Sequence, residues 1–462
     1  MLLTIAKIAA VAWLAENAQG TQAWHTAKEQ LLNEGITFDL TQLAPDPVAA
    51  EDNFWDTPLL RGVILDQEME KQERLSAITL IPESVDPREH FNGHGGDVLS
   101  RRRTDLTPWD EFVDGEGPEA ILAALENRFG AEFAELAQAS KRPFSVSPFP
   151  WDLTKNMENF AAANLTHTTV AIDLSKTLIL WSRAAIEAGD GSIALNSIRI
   201  KIRLAEAISK EPSLTAHLSS ILIQNRAVTA IWEGLAQNVW DRQQLLSLKS
   251  ELERLDLLGS FATVAECEVV FLEWALDEMK GSDVLAGMSN DAEDDGLVVK
   301  LALRLLPWGW LDRNKAFGSI WLLENFIIPA KEKNWSRLAQ ARFPEEGEIR
   351  DSAIVEIFLG GLEKIPRSSA KAHMLTQFAL AACEIELHRI DQGDYPDALP
   401  VPRLDLDSEL LRYSKTDDGR YRIYSIGWDF IDDNGTPALT GESEKNDWVW
   451  AYGPPAAAER GS

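Results

Sequence analysis

Residues Ile198 to Leu204 read IRIKIRL, and the interpretation of this run decides the fold. Apolar and basic residues alternate strictly, which is the period-two pattern of a half-buried strand. The flanks have a different pattern: AAIEAGDGSIALNS precedes the run and AEAIS follows it, both helical in spacing. A lone strand between helices would have no neighbour for its backbone N–H and C=O groups, which must be paired once buried. The run is therefore taken as helix. It belongs to a unit, AAIEAGDGSIALNSIRIKIRLAEAI, that reads as two helices joined by a turn at Gly189 and Gly191. No strict repeat of about 34 residues recurs, so tetratricopeptide repeats are not indicated.

Outward from that unit the same character continues. From about 155 to 390 the chain is a series of apolar-periodic helices with breaks at Gly189-Asp190-Gly191, Glu211-Pro212, Asp256 to Gly259, Gly281 to Gly296 and Pro344 to Gly347. Upstream, Gly117-Pro118 opens a helix to about Ala139, with Ile121, Leu122, Leu125, Phe129, Phe133 and Leu136 at three- and four-residue spacing. Residues 36–115 lack periodicity, carry five prolines between Pro45 and Pro87, and hold the turn-rich FNGHGGD at Phe91 to Asp97 and a short strand candidate at Ala77 to Ile81. The expected fold class is mainly α, stacked helical hairpins, with a small C-terminal α+β module. The expected divisions are an N-terminal helix at 1–35, an irregular segment at 36–115, a helical domain at 116–369 and the module at 370–455.

At 462 residues the chain exceeds the size at which one core usually stops growing. Its 73 acidic against 44 basic residues give a formal net charge of -29, which repels a phosphate backbone. The one basic cluster, Arg101-Arg102-Arg103, lies in a loop-like stretch without interleaved aromatics, so nucleic acid is excluded as the main partner. Cys267 and Cys383 are far apart in apolar helical runs and read as buried free thiols. Among the 16 tryptophans, Trp181, Trp232, Trp274 and Trp321 fall in apolar runs, where core packing is the default and sugar-stacking platforms are the sharper alternative.

The N-terminus, LLTIAKIAAVAWL from Leu2 to Leu14, is apolar apart from Thr4 and Lys7. Thirteen helical residues reach about 20 Å, short of a hydrocarbon core of roughly 30 Å. Three readings fit: the end of a transmembrane helix that starts upstream, a short signal-like segment with Ala18-Gln19-Gly20 as a small-x-small site, or an amphipathic first helix.

Beyond Ala370 a helix runs to about Ile390, followed by GDYP at 393–396. LLRYSK (410–415), the turn Thr416-Asp417-Asp418-Gly419 and RYRIYSIG (420–427) then form a hairpin, since Asp-Gly between alternating β-formers is a strong hairpin signal. An acidic loop and NDWVW (446–450) follow. This order of helix, GDYP, YSIGWD, DDNG and DWVW resembles the C-terminal part of the type II secretion major pseudopilin. Over most of its length the chain resembles a family of membrane-anchored proteins of Planctomycetes and Verrucomicrobia. The segments that carry this are ENAQGTQAW (16–24), EDNFWDTPLL (51–60), IWEGLAQNVWDRQQLLSL (231–248), PWGWLDRNK (307–315) and the C-terminal module. No activity follows from either resemblance. The pseudopilin's N-terminal processing site is absent, and some 350 residues separate the apolar start from the module, so assembly into a filament is not implied.

The resemblance implies a calcium site in the acidic loop, with Asp429, Asp432, Asp433 and Asp447 as ligands and Asn434 and backbone carbonyls as helpers. Closely spaced acids on a turn suit an ion that takes six to eight oxygens. The loop is not an EF-hand, because placing Gly435 at position six puts Phe430 and Gly441 where acids are needed. The bland alternative is a solvated loop held by Asx turns.

Other constellations are weaker. His90 and His94 have zinc-like spacing with Asp97 nearby, but the surrounding glycines argue for a loop. Glu384 and His388 lie one helical turn apart, as an ordinary contact would. There is no Gly-x-Ser-x-Gly elbow, phosphate-binding loop or His-Glu-x-x-His, and acid pairs mean little in a chain with 73 carboxylates. No catalytic residue is assigned. The expected function is that of a non-enzymatic cell-envelope scaffold, membrane-anchored with its bulk outside the cytoplasm and acting on protein partners. The alternatives are a cytoplasmic location and a carbohydrate-active enzyme or glycan binder on a helical scaffold.

Overall fold

The computed structural model describes residues 2–64, 106, 113, 115–162, 166–281, 307–342, 355, 358–359, 361–436 and 446–452. The strand expected at 77–81, the turn at 91–97, most of the irregular segment and of the break at 281–296, and the break at 344–347 lie outside them. The chain is mainly helical with a three-stranded antiparallel sheet near its C-terminus. Its long helices, in chain order, are α1 (Leu2–Asn33), α2 (Pro118–Ala139), α3 (Thr166–Glu187), α4 (Gly191–Ile208), α5 (Leu214–Ala236), α6 (Arg242–Leu252), α7 (Leu257–Gly281), α8 (Trp308–Leu322) and α9 (Ile365–Gln392). The strands are β1 (Arg412–Lys415), β2 (Tyr421–Ser425) and β3 (Trp448–Trp450).

Two compact units are each assembled from separated stretches of chain. One comprises Met1–Ala44, Pro150–Ala163 and Phe261–Pro366; the other comprises Pro45–Phe149, Asn164–Ser260 and Arg367–Ser462.

In the first unit α1 packs on α8 at unusually close range. A Cβ on Gly20 would lie 1.9 Å from the Gly309 carbonyl oxygen, and one on Gly309 would lie 2.1 Å from the Glu16 oxygen. Two glycines thus let the backbones touch. Polar groups along the same seam fix the register: the Gly309 N–H donates to Asn17 Oδ1 at 2.8 Å, and Lys315 sits over the Trp24 ring at 4.8 Å. The seam covers only the second half of α1. In the first half every described side chain is exposed, Ile8, Val11 and Leu14 at 64%, 65% and 61%.

In the second unit the 198–204 run is helix, inside α4. The stop and restart at residues 189–190 are local. Gly189 takes a left-handed φ of 75°, its N–H donates to the Ile186 carbonyl at 3.1 Å, and the Asp190 N–H donates to the Ala185 carbonyl at 2.8 Å. That is the double bond of a glycine-terminated helix. The Asp190 carboxylate then accepts from the Ser192 and Ile193 N–H groups at 3.0 Å each, capping α4. A capping box at Asp241 and Gln244 starts α6 in the same way. Gly259, expected in a break, lies in the first turn of α7, where Asp256 caps its N–H at 3.0 Å.

α2, α3, α5 and α6 all pack on α4, so it is covered on every side. This explains the alternation that imitates a strand: the basic residues between the apolar ones are buried too. Lys201 and Arg203 are 0% and 1% exposed. A charge inside a core must be paired or neutralised. Arg203 meets Glu206 at 3.0 Å and the Ser140 carbonyl at 2.8 Å, and Arg199 meets Glu251 at 3.0 Å.

The hairpin closes at Thr416–Arg420, with Gly419 at φ 77°, and pairs Arg412 with Tyr424 through Lys415 with Tyr421. β3 adds to β2, Ile423 opposite Trp450 and Ser425 opposite Trp448. The inward residues of β2 are Tyr421, Ile423 and Ser425. The sheet is fastened to the helices of its unit by aromatics: Trp232 of α5 donates to the Ala451 carbonyl at 2.9 Å and stacks on Tyr452 at 6.0 Å.

Candidate functional site

The acidic loop begins where β2 ends. Gly427 at φ 72° turns the chain, and Phe430, Asn434 and Gly435 are also left-handed, at 59°, 58° and 73°. Such a path turns several N–H groups inward, and the carboxylates collect them. Asp429 accepts from the Ile431 and Asn446 N–H groups, both at 3.2 Å. Asp432 accepts from the Asn434 N–H at 2.8 Å, and Asp447 accepts from Asp433 N–H at 3.3 Å and Gly435 N–H at 2.5 Å. The fold therefore brings Asp429, Asp432, Asp433, Asn434 and Asp447 into one loop, with Asp447 fully buried at its base. Burial raises the Asp447 pKa; the N–H bonds oppose this, and the charges of Asp432 and Asp433 add to it.

Two guanidiniums meet this loop: Arg422 donates to the Gly435 carbonyl at 3.4 Å, and Arg412 reaches its acids. Arg412 pairs with the buried Asp405, with Asp407 at 2.9 Å and with Asp432 at 3.5 Å. Asp405 is the hub of the corner: it accepts from the Ser425 hydroxyl, from Ile426 N–H at 3.0 Å and from Leu406 N–H at 2.7 Å. Its pKa is raised by burial, with the Ser425, Ile426 and Leu406 bonds and Arg412 pulling the other way. The sequence reading did not single out Asp405 or Arg412, whose spacing has no motif form. Among the described residues no three histidines, cysteines or acids are grouped so as to hold a metal ion.

His90, His94, Asp97 and Arg101 to Arg103 lie outside the described residues. Glu384 is buried and pairs with Arg403 at 2.7 Å and Lys249 at 3.0 Å, which makes it a structural ion pair. Cys267 and Cys383 are free and fully buried, and burial pushes the Cys383 thiol up to about 12. Trp55, Trp181, Trp232, Trp240, Trp321, Trp335, Trp448 and Trp450 are buried, while Trp13 and Trp308 are exposed, at 38% and 52%. Tryptophan is therefore used here chiefly as packing.

Two buried polar centres in the second unit had no sequence signal beyond a His and a Lys in apolar helices. His217 bridges the first turns of α5, α7 and α9, with Nδ1 2.9 Å from Ser260 Oγ and Nε2 2.8 Å from Ser369 Oγ. Ser260 gives its own proton to the Ser209 carbonyl at 2.6 Å. Ser260 must then accept from Nδ1–H, and in the neutral ring Nε2 is the acceptor. Burial lowers the His217 pKa to about 4. Lys201 donates to Ser182 Oγ at 3.0 Å. Burial lowers its pKa to about 7; Glu233 opposes the shift and Arg226 adds to it.

In the first unit the outward faces of α1 and α8 form an open groove of about 650 Å³, walled by Ala18, Gln22, Ala23 and Thr26 on one side and Ala316 and Ile320 on the other. It is uncharged, in a chain with a net charge of -29.

Set against known proteins, the chain matches no family model, no curated protein and no solved structure.

Proposed function

We propose that this chain is a non-enzymatic scaffold of the cell envelope, held at a membrane by the first half of α1. One observation carries the reading: Ile8, Val11 and Leu14 stand 61–65% exposed on a helix whose described side chains are all exposed up to residue 15. A helix apolar on all sides belongs in an apolar medium. Moving one large apolar side chain out of water is worth about 1.5–3 kcal/mol, so three or four suffice for reversible attachment. No helix among the described residues is long and apolar enough to cross a membrane. We take the attachment to be of the interfacial kind.

Favouring a scaffold over a carbohydrate enzyme is the use of tryptophan and of carboxylates. Half of the 16 tryptophans are among the buried residues, and Glu206, Glu251 and Glu384 are tied to arginine or lysine rather than facing a cleft. The proposal keeps the pseudopilin-like character of the C-terminal module and takes its loop as a structural calcium site, at Asp429, Asp432, Asp433, Asn434 and Asp447. Mutual repulsion among Asp432, Asp433 and Asp447 supports a cation there, and calcium would compete with Arg412 for Asp432. Calcium titration followed by calorimetry tests this part: a melt that neither calcium raises nor chelator lowers removes the ion from the proposal.

Flotation with zwitterionic vesicles tests the main claim. The full chain should rise with the lipid, and the triple variant Ile8→Glu, Val11→Glu, Leu14→Glu should stay in the dense fraction. A wild-type chain that remains dense refutes membrane attachment.

A further inference from the structure

We propose that Asn434 is a self-modification site: the Gly435 nitrogen attacks the Asn434 side-chain amide, and Asp447 is the latch that sets the rate. Asn434 is exposed, and its successor is a glycine, so water reaches the amide and no side chain shields the attacking nitrogen. Thr436 N–H donates to the Asp433 carbonyl at 3.2 Å, and the two residues between them are left-handed, at 58° and 73°. Positive φ at both central positions makes this a type I′ turn, which gives Asn434 a ψ of about +30°.

Attack needs a different angle. The ring that forms holds Cα, Cβ, Cγ and the main-chain carbonyl carbon of Asn434 with the Gly435 nitrogen, so Cβ and that nitrogen must eclipse one another across the Cα–C bond. For an L residue this means a ψ of about −120°, the value at the first central position of a type II′ turn. Rotating the peptide plane between Asn434 and Gly435 converts one turn into the other. The φ of Asn434 is the same in both, and glycine accepts either sign of φ at the next position. The Asp433–Thr436 bond survives the rotation. One bond does not: Gly435 N–H lies in the rotating plane and donates to the buried Asp447 carboxylate at 2.5 Å. Asp447 is itself held by Asp433 N–H at 3.3 Å. The pair therefore reacts only while the Asp447 bond is open. The step is redox-neutral. The Gly435 nitrogen bonds to Asn434 Cγ, the Cγ–Nδ2 bond breaks, and Nδ2 leaves as ammonia with the Gly435 amide proton relayed by water. Water then opens the succinimide. Cleavage at Cγ gives aspartate at this position, and cleavage at the main-chain carbonyl gives isoaspartate, whose backbone is longer by one atom. Either product adds one negative charge to the loop.

Peptide mapping by mass spectrometry tests this on the full-length chain, aged at neutral pH in chelator so that no divalent cation in the loop decides the result. In the folded wild type, succinimide and its products should accumulate at Asn434 and not at Asn238. Asn238 is also exposed and left-handed, at 56°, but it precedes the branched Val239. Conversion at Asn434 should be several-fold slower than in the same chain unfolded in urea, and Asp447→Ala should raise it several-fold in the folded state. An equal rate in the variant overturns the latch, as does a folded wild type that converts as fast as the unfolded chain. An Asn434 that stays intact in the folded chain while the unfolded chain converts overturns the site itself. If circular dichroism shows that the variant has lost its fold, the folded-against-unfolded comparison in the wild type decides alone.

Discussion

α4 and the first half of α1 are opposites. α4 places three basic residues within Ile198 to Leu204 and is buried; α1 places one basic residue within Leu2 to Leu14 and is exposed. Side-chain polarity alone would assign them the other way round. What decides is the supply of partners. α4 is surrounded by α2, α3, α5 and α6; these and their ends offer Glu251, Ser182 and the Ser140 carbonyl to its charges, and α4 adds its own Glu206. Neutralisation completes what pairing leaves undone, as the depressed Lys201 pKa shows. Among the described residues the start of α1 has no apolar neighbour, and the partner proposed for it lies outside the chain.

The largest expected effect breaks the α4 side. Lys201 has a folded pKa of about 7 against an ordinary 10.5, so between those values the unfolded chain binds the extra proton and stability rises with pH. The slope should be on the order of 1 kcal/mol per pH unit. Lys201→Met should flatten it and raise stability at pH 7, which denaturant titrations across pH will read. An equal slope in the variant would mean that Lys201 keeps its charge by other means.

His217 gives the same sign in a lower pH window. Its folded pKa of about 4 lies below the ordinary 6.5, so its contribution is complete above 6.5 and is lost as pH falls toward 4. The loss should total about 3 kcal/mol. His217→Gln should be less stable at neutral pH yet lose less on acidification, as thermal melts in a pH series will show.

Smaller still is Gly20→Ala, which forces α1 and α8 apart and should cost about 1–3 kcal/mol. If it melts with the wild type, the close seam is wrong. Smallest of all is Ile8→Glu with Val11→Glu in the absence of lipid. Both residues are about two-thirds exposed, and the melt should move by less than ~0.5 kcal/mol. A larger drop would mean that these residues already have a partner within the chain.

Local chemistry made much of this legible in the sequence. Gly189-Asp190 announces a stop and a start, Pro118 opens α2, and Asp418-Gly419 sets the hairpin turn, because each signal acts within a few residues. β3 was hidden: three residues long, Trp448–Trp450 are all buried, and such a run has no alternation to reveal it. Buried Lys201 and Arg203 were hidden because periodicity assumes that charges face water. In the acidic loop the residues were legible but their tasks were not. That Asp429 and Asp447 collect backbone N–H groups depends on left-handed turns, and that Arg412 reaches Asp432 depends on a hub at Asp405 some 27 residues away.

The most direct test of the central claim places a spin label at Val11→Cys in the full-length chain and measures its collisions with oxygen and with a water-soluble nickel complex. On adding zwitterionic vesicles, oxygen collisions should rise and nickel collisions fall at this position, while a label at Glu34→Cys stays unchanged. Identical accessibility at Val11→Cys with and without vesicles would contradict the account.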